Sequence, residues 1–194
     1  ADVPTTQYRS ANTLPREVSL FRHDDGQIYA ASAPSPELKG LRDKLTLSSD
    51  RFTVGSAARN FALPAANGGI CEIEFECDAQ KADSVSFVLS NKAGNRVVMN
   101  YNPVEHTFSM DRVNSGITDF SESFPTVTVA PTFEKDGKAN IRIFIDRSSI
   151  ELFGNGGRFA MTNLVFPEEP YTTFAISASG SKARISNLKV YSLK

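Results

Sequence analysis

Along most of this chain apolar and polar residues alternate one by one. Cys71–Cys77, Val85–Leu89, Val97–Tyr101, His106–Met110, Ile141–Ile145 and Phe174–Ala178 place apolar residues two apart, at i, i+2 and i+4. A period of two is the mark of a strand with one buried face. Between these runs sit turn clusters, Ala66–Gly69, Asn91–Asn95, Lys135–Lys138 and Gly154–Gly157, rich in residues that accept positive φ. No helical period of comparable length intervenes. Short strands joined by such turns predict an all-β fold, an antiparallel two-sheet β-sandwich of jelly-roll or concanavalin-like type.

The leading residues follow another plan. Glu17–Phe21 and Gln27–Ala31 flank His23-Asp24-Asp25-Gly26, a hairpin signal through Asp-Gly. Pro36, Glu37, Leu38 and Leu41 then suit one short helical turn that starts at proline and stalls at Gly40. A β-hairpin and a short linker are therefore expected ahead of the sandwich.

Composition narrows the function classes. The 194 residues are 40% hydrophobic and 22% charged, enough apolar content for a sizeable core. Twenty-one basic residues face 22 acidic ones without a run of either sign, which argues against nucleic acid or a membrane surface as partner. No apolar run reaches the length of a membrane-spanning helix. The chain opens on Ala1 with no basic or apolar leader, so a processed product or a piece of a longer protein is expected, the latter preferred.

Candidate chemistry is sparse. His23 and His106 stand far apart in sequence and no Cys-x-x-Cys occurs, so no zinc set, other metal site or cofactor site is assigned. His106, in phase with Phe108 and Met110, is expected at the inward edge of a strand. Asp24-Asp25-Gly26 is expected to be a solvated turn. Cys71 and Cys77 on one strand would lie roughly 20 Å apart, beyond disulfide reach, and are expected to be buried. Glu72, Glu74 and Glu76 alternate with Cys71, Ile73, Phe75 and Cys77. Their spacing of about 6.6 Å along a strand approaches that of a glycosidase carboxylate pair. Three acids opposite an apolar face are instead read as a solvent-facing row. No Gly-x-Ser-x-Gly elbow occurs, and Ser179-Gly180-Ser181 and Gly154–Gly157 read as turns. With no Trp, 5 Tyr and 14 Phe placed mostly on inward faces, the chain lacks obvious sugar-stacking platforms.

Two longer strings carry a resemblance. Tyr8–Leu20, YRSANTLPREVSL, is close to WRSAMTLPRELSL of glycoside hydrolase family 32, the invertases, levanases and inulinases, with Tyr8 for Trp and Asn12 for Met. Ile145–Gly154 resembles that family's DRSS-x-E-x-F strand. In the same order, Asp25–Tyr29 resembles its DG-x-L hairpin and Pro36–Arg42 its P-x-E-L-x-x-L linker. Met110-Asp111-Arg112 with Ser115-Gly116 and Phe120 resembles DR-x-x-SG…F, and Leu164–Pro167 its FP strand.

The resemblance implies three parts: residues 1–33 as the last strands of a five-bladed catalytic propeller, 34–44 as a linker, and 45–194 as the C-terminal sandwich. It also implies that catalysis resides in an Asn-Asp-Pro aspartate, an Arg-Asp-Pro aspartate and a Glu-Cys glutamate on the propeller. None transfers to this chain. Asn-Asp-Pro is absent, Arg42-Asp43 is followed by Lys44, and Glu76-Cys77 falls within a sandwich strand. No catalytic residue is therefore assigned.

The implied role is that of an accessory sandwich of a fructan- or sucrose-hydrolysing enzyme, inactive alone. Its partners would be its own propeller and, in a homodimer, a second copy. A stand-alone fructan-binding sandwich and a purely structural module remain the alternatives. A secreted, periplasmic or cell-surface bacterial protein is expected, a cytoplasmic one being left open. The absence of any Asn-x-Ser/Thr acceptor favours the bacterial source. Leu14, Val18, Leu20 and Ile28, if cut off from a blade, are expected to pack on the sandwich or to form an intermolecular contact. Asp146 and Arg147 are expected on opposite faces of a strand, with Ser148 and Ser149 at a bend and Ile150 and Leu152 in the core.

Overall fold

The computed structural model describes residues 3–5, 10–134 and 136–194. Tyr8 and Arg9 of the leading motif, and Lys135 of one turn cluster, lie outside the described residues. The hairpin forms from β1 (Arg16–Arg22) and β2 (Ile28–Pro34), closed at Gly26, whose φ of 82° needs glycine. A 3-10 turn, Pro36–Leu41, leads directly into β3 (Arg42–Val54). The remaining strands are β4 (Arg59–Ala62), β5 (Cys71–Asp78), β6 (Ser84–Ser90), β7 (Arg96–Asn102), β8 (Thr107–Asp111), β9 (Val127–Pro131), β10 (Lys138–Ile145), β11 (Ser149–Gly154), β12 (Phe159–Leu164), β13 (Thr173–Ser179) and β14 (Ala183–Leu193).

They build the antiparallel two-sheet sandwich that the alternation predicts. One six-stranded sheet runs β12-β11-β10-β5-β14-β3 and the other β4-β13-β6-β7-β8-β9. Facing inward are Ile73, Phe75, Ile141 and Ile143 from the first sheet, and Phe87, Met99, Phe108 and Phe174 from the second, all buried. Phe87 anchors the middle: Phe75 approaches it at 5.0 Å between centroids, Phe108 at 6.2 Å and Phe174 at 6.3 Å. Cys71 and Cys77 are free and buried, as their inward phase requires. Removal from water pushes the Cys71 thiol up to about 12, with a smaller contribution from the adjacent Glu72 charge.

A second, smaller cluster lies on the outer side of the first sheet. Leu38 of the 3-10 turn is buried against Phe144, Phe153 and Leu193, with Leu14, Ile70 and Ala160 at its margin. The linker and the hairpin base thus cover one end of a sheet face that alternation assigns to solvent. Three local expectations change in the folded chain.

Glu72 is fully buried rather than solvated. His106 is exposed, because the turn before β8 ends on it with φ of 52° and the strand starts one residue later. Asp146 and Arg147 do not occupy a strand; they form the exposed β10–β11 turn, where Asp146 N donates to Ser149 O at 2.9 Å. Ile150 and Leu152 do return to the core.

Candidate functional site

The outer face of the first sheet carries an organised row of polar side chains. On β5, Glu72, Glu74 and Glu76 point outward in a row. Glu72 accepts from Arg42 Nε (2.7 Å), Arg42 Nη2 (2.7 Å) and Arg142 Nε (2.8 Å). Burial raises the Glu72 carboxyl, but the hydrogen bonds and charges of Arg42 and Arg142 outweigh it and hold the group below its ordinary range. Arg42 also reaches Glu74 Oε2 at 2.6 Å and lies over the Tyr191 ring at 3.9 Å. Glu76 accepts from Ser186 Oγ (3.1 Å) and Asn187 Nδ2 (3.0 Å).

A general acid needs its pKa raised towards the working pH. The displacement of Glu72 runs the other way, and its oxygens are occupied by guanidinium groups. Glu74 and Glu76 are engaged as well. Glu72 and Glu74 sit in an ion-pair lattice and Glu76 accepts from neutral donors, an arrangement unlike an acid/base pair.

Two strands away in the same sheet, another carboxylate does a different task. Glu151, buried on the outer face of β11, accepts from the backbone N–H of Leu14 (2.7 Å), from Arg16 Nη2 (2.6 Å) and from Thr162 Oγ1 (3.1 Å). It clamps the chain entering the hairpin. A little further along, Gly157 has φ of 84°, and a Cβ there would collide with the backbone of Ser32 and Ala33. Glycine is what lets β2 lie against the sandwich. At the hairpin's far end Phe21, His23 and Tyr29 surround Phe133, with Tyr29 at 4.6 Å between ring centroids. His23 is thus packed among aromatic rings. Asp24-Asp25-Gly26 is a hydrogen-bonded turn in which Asp25 accepts from Gln27 N and Tyr29 Oη.

The hairpin's other face has no such support. Val18, Leu20 and Ile28 are 72%, 73% and 55% exposed. Of the four apolar residues singled out there, only Leu14 packs on the sandwich.

Between β2 and the sheet lies a cleft of about 530 Å³. Its floor is a polar grid from β10, β5 and β14: Asn140, Glu76 and Asn187 in one row, Arg142, Glu74 and Lys189 in the next. Pro34, Gly156 and Gly157 form a wall, and Phe153 closes an end. Sequence reasoning missed Asn140 and Asn187. The signal for Asn187 was present: inward residues of β14 run Ala183, Ile185, then Leu188 and Val190, a slip of phase. The slip is a bulge, with register shifting between Ser186 and Lys189 opposite β5 and φ of 54° at Asn187. Among the described residues no three His, Cys, Asp or Glu side chains converge as metal ligands would.

The architecture has counterparts. The family model described as "Glycosyl hydrolases family 32 C terminal" matches residues 37–192. The levanase of Bacillus sp. (strain L7) is 31% identical over 194 residues, covering 98% of this chain and 21% of that protein. The extracellular exo-inulinase of Aspergillus awamori is 24% identical over 198 residues, spanning all of this chain and 36% of that protein. A crystal structure of exo-inulinase from Aspergillus awamori superposes on the whole chain with a TM-score of 0.85 at 22% identity, using 38% of that structure. At that identity the superposition speaks for the fold alone. The chain spans between about a fifth and two fifths of the length of these relatives.

Proposed function

The chain belongs to glycosyl hydrolase family 32, whose C-terminal domain it matches over residues 37–192, and we propose that it is the accessory sandwich of a β-fructosidase. The parent would be a retaining hydrolase of levan, inulin or sucrose, with its catalytic carboxylates on an upstream propeller and none among these 194 residues. Residues 1–33 would be the last strands of the fifth blade, 34–44 the linker and 45–194 the sandwich.

One observation carries this reading. The hairpin is fastened to the sandwich along one side, by Glu151, Leu14 and Gly157, while Val18, Leu20 and Ile28 stand exposed on the other. A two-stranded ribbon with an open apolar face is marginal in water. More strands of a blade laid against it would cover that face. The relatives named levanase and exo-inulinase, each longer than this chain, support fructan as the parent's substrate. The word "extracellular" in the inulinase's name supports secretion. In the absence of a blade the same face would pair two copies of the chain.

The test is the mass of the native product, read by immunoblot of the source organism with antibody to this chain. A band above twice 21.2 kDa is expected. A band at 21.2 kDa would overturn the reading.

A further inference from the structure

We propose that the cleft between β2 and the first sheet is a binding site for a neutral saccharide. Its volume of about 530 Å³ falls within the range of small-ligand sites. By strand spacing its polar grid covers roughly 7 by 10 Å, two rows deep and three strands wide. Two carboxylates, Glu74 and Glu76, stand against two cations, Arg142 and Lys189, so the floor carries no net charge. An anion would meet the carboxylates and a cation the guanidinium. An uncharged polyol meets neither penalty and finds donors and acceptors side by side.

Three details suit the cleft to a polar ligand. First, the β14 bulge places Asn187 in the left-handed region, which asparagine tolerates, and sets its carboxamide against Glu76 on the cleft floor. Second, Asn140 stands exposed on the cleft floor, its backbone N–H held by Asn155 Oδ1 at 2.8 Å. It presents a donor and an acceptor to the cleft. Third, Gly156 on the wall has φ of 67° and carries no side chain into the space beside it. Glu74 and Glu76 each retain spare acceptor capacity beyond the bonds they make. Phe153 is 2% exposed and offers no stacking platform, so binding rests on hydrogen bonds and is expected to be millimolar.

Choosing fructose oligomers as the first probes rests on the reading of the parent enzyme; the saccharide site itself does not. The experiment titrates the isotopically labelled chain in two-dimensional NMR with a β-2,6-linked fructotriose, a β-2,1-linked fructotriose and maltotriose. Saturable shifts are expected at the amides of Asn140, Gly156, Gly157 and Asn187 with one or both fructotrioses. Asn140→Ala, and Asn187→Gly, which keeps the backbone conformation and removes the carboxamide, should each weaken binding about threefold to tenfold. Saturation by maltotriose in place of the fructotrioses would uphold the cleft and refute its fructan assignment. No saturable shift with any probe, shifts confined to other surfaces, or unchanged affinity in both variants would overturn the proposal.

Discussion

Replacing Glu72 by glutamine tests the reasoning about the covered sheet face most directly. Glu72→Gln keeps the shape of the side chain and removes its charge. Three hydrogen bonds of 2.7–2.8 Å to Arg42 and Arg142 then lose their ionic character, and the new amide NH2 faces guanidinium donors. Removing one member of a buried pair costs about 3–5 kcal/mol. Here the Arg42 and Arg142 side chains are 17% and 23% exposed, and Arg42 keeps Glu74 at 2.6 Å. Partial hydration lowers the expected loss to about 2–3 kcal/mol. For a domain of this size that is roughly 5–10 °C in Tm.

The pH dependence supplies a second, independent reading. The Glu72 carboxyl is held below its unfolded value, so its contribution is present above that value and is lost as pH falls through the folded one. An unfolded glutamate titrates near about 4.3. The Tm difference between the parent chain and Glu72→Gln should therefore be full at pH 7 and shrink progressively below about pH 4. Thermal unfolding followed by circular dichroism across that range measures it. A variant as stable as the parent at pH 7, or a difference that stays constant into the acid range, would refute the account.

Further outcomes follow from the same geometry. Gly157→Ala should push β2 off the sandwich at a cost of about 1–3 kcal/mol, visible as faster amide exchange over residues 14–34 with the core strands unaffected. Leu38→Ala removes the centre of the outer cluster and should cost about 2–4 kcal/mol in denaturant unfolding, since Leu38 is 5% exposed. Val18→Lys with Leu20→Lys should shift the stability of the isolated chain by less than about 0.5 kcal/mol, both sites being exposed. In the full-length product the same pair should lower Tm and fructan hydrolysis together; unchanged values there would sink the blade assignment.

Much of the fold was legible because alternation reports a buried face directly. Val85, Phe87 and Leu89, or Ile141, Ile143 and Ile145, are in the core wherever that period holds. Glu72 was misread for a physical reason. Its phase shows that it points out of the sheet, but phase does not tell whether another segment lies on that side. Arg42, thirty residues earlier, and Arg142 on the neighbouring strand lie on it, and only the folded chain brings the three together. His106 failed at a boundary: it shares the phase of Phe108 and Met110, yet a left-handed φ before β8 turns it to solvent. The cleft residues illustrate a third limit. Asn187 was announced by a slip in the β14 alternation, whereas Asn140 is an ordinary outward residue that matters only because β2 passes opposite.

The way the hairpin is held bears on what an accessory sandwich can do for a neighbouring domain. Apolar area alone would tether β1 and β2 without fixing their angle, because hydrophobic contact is not directional. Here the contacts are directional. Glu151 receives a backbone N–H and a guanidinium, so the entering chain has one acceptable position. Gly157 admits the β2 backbone at a separation no other residue permits. Arg16, Leu14 and Leu38 then seal the same base. Two strands placed at a fixed angle by such contacts present Val18, Leu20 and Ile28 as an edge of defined geometry. A blade built onto that edge would inherit its orientation from the sandwich. Under the proposed blade assignment, loosening Glu151 or Gly157 would disturb the propeller without touching any catalytic group.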